Sequence, residues 1–278
     1  MKHISHLMIT FAAAALMACN GNGNSDMNDS TMADNNLCPA GYDSFCALQD
    51  VPQTMPADLF KGQNDELLDQ LLPDGQAEAS INTFLLRGKG RVILFDAGLG
   101  ASRGGQLLAH LDSLGVNPSD VTDICITHFH FDHIGGLTDD QGNAVFANAR
   151  LHASQVEYEA YTTGELSTDN GMVLAVVNAY KDRLNLFAQG DTILEDIHTI
   201  AAPGHTPGHT LYRVDKILVA GDIMHAVSLQ LEHPEFCARF DYNHEQAVIS
   251  RRQILECAEK QHLVVAGMHF PGSHMICF

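Results

Sequence analysis

Positive charge is scarce in this chain of 278 residues: 15 lysines and arginines stand against 34 aspartates and glutamates, a formal net charge of −19. A field of that sign repels phosphate backbones, which argues against a nucleic-acid partner. It also disfavours adsorption of the folded body to an anionic membrane surface. No internal apolar run is long enough to cross a bilayer. None of the seven cysteines falls in a C-x-x-C pair, so thiolate is not the expected metal chemistry. What is plentiful is apolar residues, 45% against 18% charged, enough core for one large domain or two intimately packed halves.

The first residues are expected to be a targeting segment outside the fold. Lys2 is followed by a short apolar stretch, residues 7–17, of signal-peptide length. It ends in L-M-A-C, Leu16 to Cys19, which resembles the bacterial lipobox. By that resemblance 1–18 is a lipoprotein signal peptide and Cys19 the acylated first residue; an ordinary secretory signal is the alternative. Lys2 is the only charged side chain in 1–18, so removal takes the charge from −19 to −20. Residues 19–37 are then a lipidated, flexible tether with almost nothing to bury. Asn20 after the cysteine points to an outer-membrane lipoprotein facing the periplasm, anchored to the membrane only through lipid at Cys19. Export permits disulfides, with Cys38 and Cys46 the closest pair; free thiols are the other outcome.

The domain expected over 38–278 alternates strands and helices. Residues 80–87 and 91–96 read as adjacent strands joined by a G-K-G turn. A helix is predicted over 102–114 from the leucine spacing, then a β-rich run, 121–127. Residues 153–188 have helical character and are the expected substrate-covering structure. In the second half 192–202, 210–214 and 216–222 are strand-like, and Asn243 with Gln246 starts a helix running to about His262. Residues 263–267 are expected to be a last buried strand. The pattern argues for an α/β (α+β) chain, two sheets flanked by helices.

The chemistry concentrates after the run 121–127. T-H-F-H-F-D-H-I-G-G, residues 127–136, places His128, His130, Asp132 and His133 within six positions. In an extended chain His128 and His130 project to one side. A turn into a helix then aims Asp132 and His133 at a neighbouring spot. The phenylalanines between them are expected to pack beneath as a dry floor, and Gly135 and Gly136 to allow close backbone approach. Further ligand types follow strand ends: His205 in P-G-H-T-P-G-H-T, Asp222 in A-G-D-I-M-H and His269 in G-M-H-F-P. Imidazole and carboxylate sets suit zinc first, with iron, manganese, cobalt or nickel also able to bind.

The ordered set H-x-H-x-D-H, G-H-T-P-G-H, G-D and G-x-H resembles the metallo-β-lactamase superfamily over roughly residues 40–278. The resemblance implies an αββα sandwich holding two divalent metal ions, with His128, His130 and His205 on one, Asp132, His133 and His269 on the other, and Asp222 between them. It also implies His209 as a loop organiser and Asp96 as loop support; His225 lies at the site edge, either as a pocket contact or as a structural residue. Two such cations lower the pKa of a shared water enough to give hydroxide near neutral pH. Asp132 is then placed to orient it and pass its proton to the leaving oxygen. No serine or cysteine nucleophile is needed, and no G-x-S-x-G elbow is expected.

Within that family, Asp222 counts against the β-lactamases. The nine residues after His269 leave no room for a glyoxalase II helical domain, and the nuclease insertion and basic surface are missing. The segments around Asp222, His233 and Ser250 look like the branch of methyl-parathion-hydrolase-like proteins and N-acyl homoserine lactonases, whose members run on past the last histidine. The far wall of the pocket is therefore expected to be abbreviated. The resemblance implies hydrolysis of a small-molecule lactone or ester, acyl homoserine lactones foremost. Organophosphate or aryl-ester hydrolysis and then β-lactam hydrolysis are the alternatives, and a non-catalytic, metal-holding surface lipoprotein is the reading from another class. A homodimer is left open.

Overall fold

Alternating apolar residues put opposite faces of two sheets to different uses. The computed structural model describes residues 37–168 and 170–278; the signal peptide, Cys19 and nearly all of the tether lie outside them. The first sheet runs in sequence order through β1 (Tyr42–Pro56), β2 (Gln76–Gly88), β3 (Arg91–Phe95), β4 (Asp123–Cys125), β5 (Arg150–Ser154) and β6 (Leu184–Phe187). The second contains β7 (Thr192–Ile193), β8 (Ile197–Ala201), β9 (Thr210–Val214), β10 (Ile217–Val219), β11 (Val264–Ala266) and β12 (Met275–Cys277), also neighbours in that order.

In β2, Phe84 and Leu86 face a core between the sheets, where Tyr212, Val219 and Ala266 meet them. Leu85 between them turns to the outer face and packs with Leu107, Leu111, Val173 and Val176. Leu211, Leu218 and Val265 cover the outer face of the second sheet against Ile254 and Ala258. This is the period of two expected of buried strands, used to glue helix to sheet to sheet to helix. The helices are α1 (Asp65–Leu71), α2 (Leu107–Ser113), α3 (Phe131–Ile134), α4 (Gln155–Thr162), α5 (Gly171–Tyr180), α6 (Val227–Gln230) and α7 (His244–Gln261).

Several expectations are corrected. The helix predicted over 102–114 begins only at Leu107; Ala101–Arg103 is a separate 3-10 turn, and Gly104 in the left-handed region (φ 88°) breaks the run. Residues 263–267 are not the last strand, because β12 pairs beyond it at the edge. The helices within 153–188 pack on the outer face of the first sheet, and Tyr161 of α4 brings its ring to 6.5 Å from that of His130. Of the two outcomes left open for Cys38 and Cys46, the structure has free thiols, as at all six described cysteines.

Strands β3 to β6 are parallel, as are β10 and β11. Asp96, the histidine loop, Asp222 and His269 therefore all emerge at carboxyl ends of strands. That is where open α/β sheets place ligands.

Candidate metal centre

Two loops from different sheets build the core of the site. After β4 the chain stays extended through His130, then turns into α3 at Phe131. His128 Nε2 lies 3.0 Å from His130 Nδ1, and His205 Nε2, from the loop after β8, lies 3.0 and 2.9 Å from the same two atoms. Beside them stand Asp132, His133 and His269: His269 Nε2 is 3.5 Å from Asp132 Oδ2, and His133 Nε2 is 3.8 Å from Asp132 Oδ1. Asp222 sits between the groups. Its Oδ2 is 3.2 Å from His205 Nε2 and 3.0 Å from His269 Nε2, while Oδ1 is 3.2 Å from His133 Nε2. All seven predicted ligand residues thus converge, as His128–His130–His205–Asp222 and Asp132–His133–His269.

These residues fit a pair of divalent ions. Three buried ring nitrogens that mutually approach to about 3 Å cannot all be satisfied by protons, since one proton bridges only one pair at a time. His133 Nε2 and Asp222 Oδ1 are buried and make no hydrogen bond. Converging lone pairs with no donor describe a cation site, and an all-imidazole and carboxylate set suits zinc.

Without a cation the cluster divides into histidines that resist a proton and histidines that hold one against Asp222. Burial, reinforced by the neighbouring imidazoles, holds His128 and His130 well below the usual histidine range. Burial also opposes a proton on His205, but Asp222 and Asp241 outweigh it and push its pKa up to about 9. The histidines in turn hold Asp222 well below the carboxylate range despite its burial.

Second partners fix the rings. Asp96 accepts from His133 Nδ1 at 2.6 Å and from the Thr127 N–H and O–H at 2.7 Å each, from a left-handed backbone conformation (φ 59°). Asp241 accepts from His205 Nδ1 at 2.8 Å, and the Ser80 carbonyl from His269 Nδ1 at 2.9 Å. Such partners set ring orientation and tautomer. His209 accepts the Asp222 N–H at 3.0 Å and reaches the Ala202 carbonyl at 3.1 Å, which orders two loops. His225 is fully buried, with Nε2 3.1 Å from Asp222 Oδ2 and Phe240 packed edge-on to its ring. It lies beneath the pocket surface, not at its edge.

A cavity of about 370 Å³ opens over the cluster, lined by Gln53, Met55, Pro56, Leu59, Phe131, Asp132, Phe240 and His269. The dry-floor expectation holds for Phe129, which is buried, but not for Phe131, which is 58% exposed at this cavity. The far wall comes from β1 and the turn after it. Sequence reasoning missed Gln53, Asp50 and Asp241. Only Asp241 left a signal, two residues before the helix-capping Asn243. Asp50 is buried and accepts the Leu99 and Leu107 N–H groups at 2.8 Å each, which holds the loop packed on Gly135 and Gly136. One G-x-S-x-G string does occur, Gly100 to Gly104, contrary to expectation. Its Ser102 is exposed in a 3-10 turn and bonds to no histidine, so it is not a nucleophile elbow.

The metallo-beta-lactamase superfamily model matches residues 78–260. An N-acyl homoserine lactonase of a Bacillus species is 33% identical over 100 residues, 36% of this chain and 35% of that protein. The matched stretch is thus about a third of the length of the curated relatives. AidC, a dizinc quorum-quenching lactonase in complex with the product N-hexanoyl-L-homoserine, superposes with a TM-score of 0.74 at 24% identity over 84% of this chain and 91% of that one. The hydrolase AbOPH of the beta-lactamase superfamily superposes at 0.75 and 26% identity over 86% and 93%. A family model spanning more than half of the sequence, on a two-sheet fold with all four motifs gathered at one site, decides the family. The chain belongs to the metallo-beta-lactamase superfamily.

Proposed function

We propose that this chain hydrolyses a lactone or similar ester with an apolar acyl part, acyl homoserine lactones foremost, at a two-metal centre. The observation that carries the reading is the cavity over the histidine cluster: its walls are Met55, Pro56, Leu59, Phe131 and Phe240, and its reactive side is Asp132 and His269. Apolar walls favour an acyl chain over a charged substrate. The N-acyl homoserine lactonase relatives support the same substrate class.

His128, His130, His205 and Asp222 would hold one divalent ion, and Asp132, His133, His269 and Asp222 the other. Bound there, such a pair polarises the ester carbonyl and activates water at neutral pH. The protein's own side chains do the rest. Phe131 and Phe240 exclude bulk water around the acyl part, which strengthens every charge interaction at the carbonyl. Asp132, whose side chain is 15% exposed and faces the cavity, takes the proton of the attacking water at Oδ2. It returns that proton to the leaving alkoxide oxygen, so the ring opens to a hydroxy acid. Asp241, Asp96 and the Ser80 carbonyl keep the imidazoles in place throughout. As a lipoprotein tethered at Cys19, the enzyme would meet diffusible lactones in the periplasm.

The test compares a lactone series with an aryl ester, a phosphotriester and a chromogenic cephalosporin, with and without chelator. Chelator-sensitive turnover highest on acyl lactones is expected. Preferred turnover of the phosphotriester or cephalosporin would replace the substrate assignment, and no turnover by metal-loaded protein would favour the binding lipoprotein. Asp132→Ala, assayed at saturating metal, is expected to lower kcat about 10²–10⁴-fold.

A further inference from the structure

Glu157 departs from the role its local sequence assigns. S-Q-V-E, Ser154 to Glu157, is a capping-box sequence, and Ser154 Oγ does accept the Glu157 N–H at 3.0 Å. In such a box the glutamate turns back to the cap. Here the carboxylate is instead buried in the interior. Oε1 accepts the Phe129 N–H at 2.9 Å, and Oε2 accepts the Thr206 hydroxyl at 2.8 Å and the Gly208 N–H at 2.9 Å.

Those three donors come from two loops. Phe129 lies between His128 and His130, on the loop that leaves the first sheet. Thr206 and Gly208 flank the loop from the second sheet just after His205. One carboxylate therefore ties together the two backbones whose ring nitrogens meet 2.9–3.0 Å apart. Each oxygen accepts an N–H, so the group that fits is a carboxylate. No lysine or arginine pairs with it among the described residues. The approach is built in: a Cβ on Gly208 would stand 2.2 Å from the Glu157 nitrogen. Leaving a carboxylate buried without a cationic partner is costly unless its donors are well placed. Burial raises its pKa against the pull of those donors.

From this geometry we infer that Glu157 is a positioning residue for one metal of the pair: it sets the spacing of His128 and His130 against His205. The inference rests on the two-metal reading of the site. Two other bonds hold the sheets together behind it, Thr210 N–H to the Thr127 carbonyl at 3.0 Å and Tyr212 O–H to the Ile126 carbonyl at 2.6 Å. Loss of Glu157 should therefore loosen the histidine trio without separating the halves. In Glu157→Gln the amide keeps one acceptor oxygen but turns an NH₂ toward a backbone N–H.

The test is a zinc titration of the metal-free protein against a competing chromophoric chelator, alongside melting of the metal-free form. Expected for Glu157→Gln is a loss of about tenfold or more in affinity for one equivalent, as outer partners of ligands typically give. The other equivalent should change less than about twofold, and the metal-free Tm should stay near that of the unmodified protein. Thr206→Val removes one of the three bonds and should weaken the same equivalent by a smaller factor. It decides the matter if Glu157→Gln does not fold. Two equivalents held as tightly as before in the variants, or both weakened together with a lower metal-free Tm, would overturn the role while leaving the metal centre intact. An unmodified protein that takes up no zinc would overturn the metal reading and this role with it.

Discussion

Four histidine nitrogens lie within 3.7 Å of one oxygen of Asp222, and that crowding sets how the site behaves at the scale of single residues. In the proposed centre a lone carboxylate there would offset part of the charge of the two cations, so Asp222→Asn should leave the fold intact but abolish tight binding of both, read by metal analysis after dialysis. Asp241 offers a test with a definite sign. Burial alone would raise its pKa, but its bond to His205 and the nearby His225 and Arg251 pull it down to about 2. A carboxylate depressed on folding adds stability above its unfolded pKa near 4 and loses it as pH falls toward the folded value. The contribution in the metal-free protein is about 2 kcal/mol at neutral pH. Between pH 4 and 2 the urea midpoint of the metal-free protein should therefore fall more steeply than that of Asp241→Asn; parallel curves would contradict this. The seven ligand positions were legible because their residue types and order are restrictive. Asp50 was not, because an acid that accepts from backbone groups far along the chain carries no motif of its own, and Asp241 left only its place two residues before the helix cap at Asn243.

Elements matter here chiefly through the loops at strand ends. A Cβ on Gly136 would stand 2.1 Å from the Ala97 carbonyl, and one on Gly135 2.2 Å from that of Leu99. Those contacts press the histidine loop onto the Asp96 loop, so Gly136→Ala should cost more than about 2 kcal/mol and weaken metal retention together. Thermal melting with metal analysis checks both. The need for glycine could be read from the sequence, whereas the surface it meets could not. Likewise H-x-H-x-D-H foretold where the rings point but not that Phe131 would leave the core. A short helix turns that side chain outward while Phe129, two residues earlier in extended chain, turns in. The late start of α2 has a similar cause: leucine spacing marks a face, and Gly104 decides where the helix can begin. If Phe131 and Phe240 grip the acyl part, Phe131→Ala and Phe240→Ala should raise KM for long-chain lactones about tenfold or more. KM for short-chain lactones should change little.

At the scale of the whole molecule, each sheet supplies part of the centre: Asp132, His128, His130 and His133 from one, His205, Asp222 and His269 from the other. The two-sheet architecture was readable from strand-like runs in both halves. The edge strand β12 was not, since its three residues are only partly buried and lack a buried strand's apolar run. With all described cysteines free, the buried faces hold the sandwich together, and a reducing agent should leave its Tm unchanged. The claim on which the rest depends is that these separated side chains bind two divalent ions and need them for turnover. The most direct measurement is metal content per chain during stepwise zinc addition to the stripped protein, with lactone hydrolysis followed in the same samples. Two equivalents per chain are predicted, with activity rising as they bind; hydrolysis at full rate by stripped protein, or saturation below one equivalent, would contradict it.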